Sequence, residues 1–383
     1  MSLGLFVNGV FQYRRDTMKL QCHRPTLAAA LQIVSTVVPT RTPREILRNV
    51  KLQVDAGSAT LVATDLEVGV RVELTGVETD SSGEVLLPTG RMSSILREVT
   101  DETIDIEVTE SSVKVRTTGS EFTLGSEDPD EFPDVAAFEG DQYLAIPGAA
   151  LREGIVRTKF ATDEESTRYA LGGILFDPAG DKVTLVATDS RRLAVASLPA
   201  RPEGFEELAN PGPVIPAKAM RLIEKSITDE EEEVQVAISA NDILVRCGQS
   251  TIYSRLVEGR FPEYTKLIDT ANSHVATLEI DSFHSAVRQA QIVTSEESRG
   301  VDFSFNSGSL TLQTVAADVG ESKVEIPISY GGDAVSICFD PRFITDFLRV
   351  LKPESTVALH LVDSESAAVF RTDDGYTYVV MPL

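Results

Sequence analysis

The sequence contains one module in several copies, and this repetition limits the possible folds more than any other feature. The pentapeptide LVATD occurs at 61–65 and again, letter for letter, 124 residues later at 185–189. A proline opens an amphipathic stretch at Pro88 and again at Pro216, 128 residues later. A Phe-Pro-acid turn at 132–134 recurs with an offset of 129 residues. Because separate features recur at nearly the same offset, the chain holds copies of one domain.

A third copy is fainter but lies in the expected place. The segment LTLQT (310–314) occupies the position of LVATD, and Pro341 opens a third amphipathic stretch 125 residues after Pro216. A repeat of this length exceeds solenoid units and has the size of a domain. The sequence therefore predicts three tandem domains preceded by an N-terminal extension or tag, which lacks a signal-peptide pattern. The predicted bounds are 1–17 for the extension and 18–137, 143–268 and 274–383 for the domains.

Each copy predicts the same elements in the same order. Leu27, Leu31, Val34 and Val38 recur at spacings of four, three and four, which indicates one face of a helix. Alternating β-branched segments such as 181–199 then predict strands, and a proline-led second helix and further strands follow. This pattern is typical of an α+β fold with two helices per copy on one face of antiparallel sheets.

The six predicted helical segments are 22–38, 88–99, 147–162, 216–228, 281–294 and 340–352. Asp281 is the expected N-cap of the fifth segment, because a carboxylate there accepts hydrogen bonds from free backbone N–H groups of the first turn. Strand-end turns are the predicted role of Asp65 and Asp189, the acids of the repeated pentapeptide, rather than a catalytic pair.

Composition excludes several classes of protein. There is no apolar run long enough to span a membrane, so no membrane partner is expected. Cys22, Cys247 and Cys338 lie far apart without a CxxC pair, which favours a reducing, cytoplasmic location. The few histidines and cysteines form no ligand cluster, so no metal and no cofactor are expected. The common nucleophile, phosphate-loop and metalloprotease motifs are absent from the sequence, so we predict that the protein is not an enzyme.

Charge is distributed unevenly along the chain. The net charge of −24 argues against nucleic-acid binding when it is taken as a whole. The six helical segments, however, hold 13 basic and 6 acidic residues, while the remainder holds 22 basic and 53 acidic residues. Lys218, Arg221 and Lys225 share one helix face, which by itself is also typical of an ordinary solvated surface. Six neutral or positive helices in an acidic chain favour a basic surface that contacts phosphates without reading sequence.

Four motifs add a resemblance to a known family. They are VATDSRRLAVASLP (186–199), LVEGRFPEY (256–264), SRGVDF (298–303) and YVVMP (378–382). Together with the three copies, they resemble the bacterial DNA sliding clamp, the beta subunit of DNA polymerase III, over residues 18–383. The resemblance implies a head-to-tail homodimeric ring of six clamp domains around double-stranded DNA. It also implies a processivity factor whose partners are the replicative DNA polymerase subunits, the clamp loader and other clamp-binding repair proteins.

The resemblance also implies three sets of site residues. A protein-binding groove between the second and third domains would use Leu171, Thr188, Arg191, Arg192, Leu193, Pro262, Lys266, Leu267, Phe343, Val379, Val380, Met381 and Pro382. DNA contacts would use Arg41, Arg91, Arg152, Lys159, Lys218, Arg221, Lys225, Arg288, Arg342 and Arg349. The dimer interface would pair the edge strand that holds Phe122 and Leu124 with Ile292 and Val293 of the second chain.

The sequence departs from the family at the rim of the implied groove. Ser190 stands where a small glycine is common, Lys266 stands where arginine is common, and Leu383 ends the sequence slightly earlier than in familiar members. For 378–380 two interpretations stay open, a groove wall or a buried last strand, whereas 381–383 favour the groove. The alternative function is an acidic, repeat-built scaffold that does not encircle DNA, although a scaffold leaves the positive helices unexplained.

Overall fold

The computed structural model describes residues 18–383 except 56, 80, 110–111, 166–169, 205–211, 272, 296–298 and 318. Residues 1–17, the predicted extension, lie outside the described part. The chain divides into two compact units. The first runs up to Glu139 and includes Leu244–Ser254, and the second comprises Gly140–Ile243 and Arg255–Leu383. Among the described helices, none combines the length and apolarity needed to cross a bilayer.

The described residues form six α-helices and twenty-seven strands. The helices are α1 (Arg24–Val34), α2 (Thr89–Glu98), α3 (Gly148–Thr158), α4 (Ala217–Ser226), α5 (Ile280–Ala290) and α6 (Pro341–Leu348). The strands of the first copy are β1 (Met18–His23), β2 (Asn49–Asp55), β3 (Ser58–Thr64), β4 (Val68–Leu74), β5 (Val77–Thr79), β6 (Gly83–Pro88), β7 (Thr103–Val108), β8 (Ser112–Arg116) and β9 (Glu121–Gly125). The strands of the second copy are β10 (Tyr143–Pro147), β11 (Gly173–Ala179), β12 (Lys182–Thr188), β13 (Arg192–Pro199), β14 (Arg201–Glu203), β15 (Val214–Pro216), β16 (Glu233–Ile238), β17 (Asp242–Cys247) and β18 (Ser250–Arg255). Those of the third copy are β19 (His274–Glu279), β20 (Val301–Asn306), β21 (Ser309–Ala316), β22 (Gly320–Pro327), β23 (Ser329–Tyr330), β24 (Val335–Phe339), β25 (Thr356–Leu361), β26 (Ala368–Arg371) and β27 (Thr377–Val380).

The order of elements is the same in all three copies: one strand, a helix, five strands, a second helix and three strands. The sheets repeat as well, because the strand order β4-β3-β2-β6 of the first copy matches β13-β12-β11-β15 and β22-β21-β20-β24. The paired strands run antiparallel. In each copy the two helices pack on each other, and the first of them packs on this sheet. The predicted α+β class with three copies of one domain is therefore confirmed.

Successive copies are joined by strand pairing. The last strand of the second copy, β18, pairs with β4 of the first copy, with Ser254 opposite Val68. In the same way β27 of the third copy pairs with β13 of the second, with Val380 opposite Arg192. The corresponding strands at the two ends are β9 and β22, and each forms the outer edge of its sheet within the described part of the chain. Each of these two strands therefore presents a free backbone edge.

Each Phe-Pro turn anchors the segment that follows the last strand of its copy. Phe132 is 4% exposed and joins a core cluster with Val62 and Leu86. Phe261 is 5% exposed and joins a second cluster with Leu193 and Val379. Burial of a phenylalanine side chain contributes on the order of 2 kcal/mol, so the recurring turn fixes each connection against the core.

The predicted helical segments were too long, except that the fifth, 281–294, begins one residue after the start of α5. Cys22 and His23 belong to β1, and β10 and β19 likewise precede the first helix of the later copies. The sequence MKLQCH of β1 alternates buried and exposed residues, which is the period of a strand and was the available signal. The prediction of Asp281 as an N-cap was wrong, because Glu279 occupies the N-cap of α5 and Asp281 lies inside the first turn. A carboxylate there is still favourable for the helix dipole.

Candidate functional site

The second copy of the repeated pentapeptide ends in a hydrogen-bonded turn between β12 and β13. The Thr188 hydroxyl donates to the carbonyl of Arg192 (2.6 Å) and accepts from the Ser190 backbone N–H (3.1 Å). Asp189 Oδ1 accepts from the Arg192 backbone N–H (3.0 Å). The same bonds recur at 64–68 in the first copy. The acids of both pentapeptides therefore serve as turn residues, as predicted.

This turn places Ser190 in a backbone conformation that favours glycine. Ser190 has a φ of 75°, and Leu66 has a φ of 82° at the equivalent place in the first copy. These values lie in the left-handed region, which glycine adopts more readily than residues with a Cβ. The hydrogen bonds of the turn hold this backbone conformation without a glycine in either copy.

The C-terminal strand lies directly beside the turn. In the pairing of β27 with β13, Val379 stands opposite Leu193. Beyond β27, the Met381 backbone N–H donates to the Arg191 carbonyl (2.8 Å), and that of Leu383 donates to the Cys338 carbonyl (2.9 Å). Residues 381–383, which we call the C-terminal tail, are thus held at both ends.

Burial separates the last strand from the tail. Val379 and Val380 are 2% and 0% exposed, so 378–380 is a buried strand. Met381 and Leu383 are 38% and 62% exposed. Large exposed apolar side chains that lie near one another indicate an interaction surface. Here they belong to the segment that directly follows a buried strand.

The other predicted groove residues also divide into buried and exposed ones. Leu171, Thr188 and Leu193 are buried, and Leu193 is a member of the cluster that contains Phe261 and Val379. Pro262 and Phe343 are partly exposed, whereas Lys266 and Leu267 are exposed on the 3₁₀ turn Thr265–Ile268. The predicted floor is therefore continuous with the core, and the exposed apolar surface comes from Leu267 and the C-terminal tail.

Arg192 is a partly buried residue that connects two copies, and we call it the connector. Its guanidinium donates to Asp189 Oδ2 (2.9 Å), Asp346 Oδ2 (2.7 Å) and the Phe160 carbonyl (2.7 Å). It also lies 4.6 Å from the centroid of the Phe343 ring, a cation–π distance. Only 11% of the side chain is exposed. Arg192 thus joins β13 of the second copy to α6 of the third.

An open cavity of about 510 Å³ adjoins this connector. Its lining residues are Thr162, Asp163, Asp189, Arg191, Arg192, Arg342, Phe343 and Asp346. Sequence reasoning missed Thr162, Asp163 and Asp346, which come from segments distant in sequence. The only signal for Asp346 was its place on a predicted helix that also carries Phe343.

The predicted DNA-contacting cations lie on or beside the helices. Arg41 is exposed in the loop after α1, and Lys159 and Arg349 lie just beyond α3 and α6. The remaining seven lie within α2 to α6. The six helices keep ten basic and five acidic residues, so their net charge stays positive within the acidic chain.

Five of these cations form ion pairs with carboxylates of described residues. The five pairs are Arg152–Glu230, Lys159–Glu224, Arg221–Glu164, Arg342–Asp340 and Arg349–Asp346. Four of them have N–O distances of 2.5–2.6 Å, and the Arg349 pair is longer at 3.6 Å. Asp340 also caps α6 by accepting from the Arg342 backbone N–H (3.0 Å). The partners of Arg152, Lys159 and Arg221 lie 78, 65 and 57 residues away along the chain, so sequence analysis did not find them.

The residues predicted for the dimer interface lie on the edge strand β9 and beside the edge strand β22. Leu124 (9% exposed) and the partly exposed Phe122 belong to β9. Ile292 is 74% exposed on the 3₁₀ turn Gln291–Val293, which packs against β22. An exposed isoleucine beside an unpaired strand edge is the type of surface that a partner strand covers.

Family models divide the chain into three matched regions. The N-terminal domain of the DNA polymerase III beta subunit matches residues 18–136, the central domain matches 145–263, and the C-terminal domain matches 265–383. The chain belongs to the DNA polymerase III beta subunit family. It is therefore a sliding clamp, a processivity factor of DNA polymerase, built from three tandem clamp domains, as its motifs predicted.

Individual members of the beta subunit family resemble the chain over nearly its whole length. The beta sliding clamp of Pseudomonas putida is 30% identical over 371 residues, which cover 96% of this chain and all of that protein. The beta sliding clamp of Chlamydia pneumoniae is 29% identical, covering 96% and 99%. The crystal structure of the DNA polymerase III beta subunit from Pseudomonas aeruginosa superposes with a TM-score of 0.89 at 29% identity, covering 96% and 100%.

Replacing the connector of the beta subunit tests its contribution to stability. Arg192→Ala removes one cation from two partly buried carboxylates, and loss of hydrogen bonds to charged groups costs about 2 kcal/mol. We expect chemical denaturation to show that the free energy of unfolding is lower by about that amount in the variant. Arg191→Ala, at the exposed neighbour, is the matched control and should change it by less than about 0.5 kcal/mol. Equal effects of the two variants would show that Arg192 does not hold the junction.

Proposed function

We propose that this clamp acts as a head-to-tail homodimeric ring of six domains that encircles double-stranded DNA. The observation that carries the proposal is the pairing of the last strand of each later copy with the fourth strand of the copy before it. Within one chain this rule joins β18 to β4 and β27 to β13. Among the described strands, it leaves unpaired the edge of β9, the last strand of the first copy, and that of β22, the fourth strand of the third copy.

A second copy of the chain satisfies both edges at once. If β9 of each chain pairs with β22 of the other, the same rule operates at every junction and the assembly closes with two identical interfaces. Phe122 and Leu124 would then face Ile292 and Val293 of the partner. Closure also removes two unpaired strand edges, which on a single chain favour aggregation.

The helices supply the surface for DNA. The proposed contacts are Arg41, Arg91, Arg152, Lys159, Lys218, Arg221, Lys225, Arg288, Arg342 and Arg349. Long basic side chains on helices bind phosphates and carry no sequence information, so the ring would bind duplex DNA of any sequence. The protein would act without catalysis, because retention on DNA requires only closure and weak phosphate contacts.

The surface around the C-terminal tail is the proposed docking site for other proteins. Its proposed members are the thirteen groove residues given above, with Leu267 and Met381 as the most exposed apolar positions. We infer that replicative polymerase subunits, the clamp loader and repair proteins share this groove through short linear segments. As a replication factor, the protein would work in the cytoplasm. The proposed domain bounds remain 18–137, 143–268 and 274–383, after the extension 1–17.

The solution mass tests the ring. We expect a mass twice that of the 41.5 kDa chain in light scattering at micromolar concentration and moderate salt. Ile292→Asp places a charge at the proposed interface and should weaken the dimer by at least about 100-fold, since a buried unpaired charge is costly. Val362→Asp is the matched control, because Val362 is also an exposed apolar residue (49%) but lies outside the proposed interface. A monomeric wild-type protein would contradict the ring and favour the acidic-scaffold alternative.

A further inference from the structure

Three of the proposed DNA-contacting cations of the central domain are already bound to carboxylates. The paired cations are Arg152, Lys159 and Arg221, and the partner glutamates are Glu230, Glu224 and Glu164. Arg221 and Glu164 form a two-pronged pair with distances of 2.6 and 2.8 Å. Lys159 Nζ donates to both oxygens of Glu224 at 2.8 and 2.6 Å. The cations are therefore not presented as free charges.

Backbone contacts fix the segment that carries Glu230. The carbonyls of Glu230 and Glu232 accept from the backbone N–H groups of Ala149 and Gly148, at 3.1 and 2.9 Å. These N–H groups begin α3 and have no partner within the helix. The acidic run 229–233 is thus bound to the start of α3, and Glu230 stays within reach of Arg152.

Glu164 lies after the 3₁₀ turn that follows α3 and keeps its negative charge. Its hydrogen bonds with Arg221 lower the pKa of the Glu164 carboxyl below its usual value. Both side chains remain well exposed, at 44% for Arg221 and 48% for Glu164. The pair is therefore accessible to a competing anion, and a phosphate that approaches Arg221 also approaches an ionised carboxylate.

Stability does not account for the two exposed pairs, Arg152–Glu230 and Arg221–Glu164. Exposed ion pairs contribute little to folding, because water and salt screen them and side-chain entropy opposes them. Their effect on an approaching anion is larger. Each phosphate must displace a carboxylate that already holds its cation, and it then lies near a like charge.

We propose that the partner glutamates Glu164, Glu224 and Glu230 are built-in competitors of DNA phosphate, which keep the contact between the central domain's helices and duplex DNA weak. This inference rests on the proposed function, because it requires these helices to face DNA. A ring that holds DNA by closure gains nothing from tight phosphate contacts, since each one slows its movement along the duplex. As the ring moves along the duplex, each glutamate replaces the phosphate bound to its cation, so every contact between a cation and a phosphate is short-lived.

The test replaces the three partner glutamates by glutamine. Glu164→Gln, Glu224→Gln and Glu230→Gln in one chain free the paired cations without adding a positive side chain. The matched control carries Glu73→Gln, Glu78→Gln and Glu365→Gln, three exposed glutamates on strands or loops, with the same change in net charge. The double variant Glu164→Gln with Glu230→Gln keeps the less exposed Glu224 and serves if the triple variant melts at a lower temperature.

Binding to short linear duplex DNA is measured by fluorescence anisotropy over a range of salt concentrations. We expect the triple variant to bind on the order of tenfold more tightly than the control at low salt, because about three further phosphates find free cations. The slope of log affinity against log salt should steepen by up to about 3. Loaded rings should also diffuse several-fold more slowly along DNA in single-molecule tracking.

The outcomes separate the inference from the function on which it rests. If the triple variant and its control bind and diffuse alike, the glutamates do not compete with phosphate and the inference is wrong. That result leaves the proposed function intact provided that wild-type rings stay on circular DNA at high salt. If wild-type rings do not stay on circles, the proposed function itself fails.

Discussion

Wild-type rings loaded onto nicked circular duplex DNA by the clamp loader with ATP will remain bound through a high-salt wash, and one cut in the circle will release them. The helices carry ten basic and five acidic residues in a chain of net charge −24. Five of the proposed DNA-contacting cations are also held by carboxylates. Electrostatic attachment of such a protein fades steeply as salt rises. Retention at high salt therefore requires closure around the DNA.

The measurement compares protein that co-elutes with circular and with linearised DNA after the same wash. We expect at least about tenfold more protein on the circle, because leaving it requires an interface to open whereas a linear end allows the ring to slide off. Alanine at Lys218, Arg221 and Arg152 should lower loading more than the lifetime of rings already loaded. Protein that stays bound at high salt after linearisation would show that the attachment is not topological.

Removal of the C-terminal tail, residues 381–383, will abolish binding of a short linear peptide and leave the fold intact. Met381 is 38% exposed beside the turn that begins β13, and its backbone N–H is bonded to Arg191. Loss of this apolar surface should lower the affinity for the peptide by at least about 100-fold, which corresponds to about 2.7 kcal/mol of binding free energy. The thermal midpoint should hardly change, because the buried strand β27 remains in place.

Calorimetry with a peptide that carries two adjacent apolar residues and a nearby glutamine provides the measurement. Met381→Ala removes the side chain but keeps the tail's backbone bonds, so it should give an intermediate loss of about tenfold. Val362→Asp again serves as the control at a distant exposed position. Unchanged affinity after the deletion would place the groove elsewhere on the protein.

The parts of the fold that sequence predicted best are those with a local physical signature. The apolar spacing of Leu27 and Leu31 indicated α1, and the repeated turn acids Asp65 and Asp189 occupy the hydrogen-bonded turns expected of them. Both features depend on residues that lie only three or four positions apart in the sequence. The first strand of each copy was overlooked because its five or six residues adjoin a strongly periodic helix.

The parts that sequence could not predict depend on contacts between distant segments. Glu230 lies 78 residues from Arg152 along the chain, and Asp346 lies 154 residues from Arg192. A count of charges treats such residues as independent, although in the fold they are partners. Likewise, the motif YVVMP does not reveal that the pairing of β27 with β13 buries Val379 and Val380 while Met381 remains exposed.

The pairing of β18 with β4 has a consequence for the synthesis of the chain on the ribosome. Strand β4 ends at Leu74, but its partner β18 begins only at Ser250. The first domain therefore emerges and folds with one strand edge unpaired until most of the second domain has been made. The same delay affects β13, because its partner β27 is the last strand of the described chain. Such open edges favour wrong pairing between nascent chains, so slow translation of the second domain should increase aggregation.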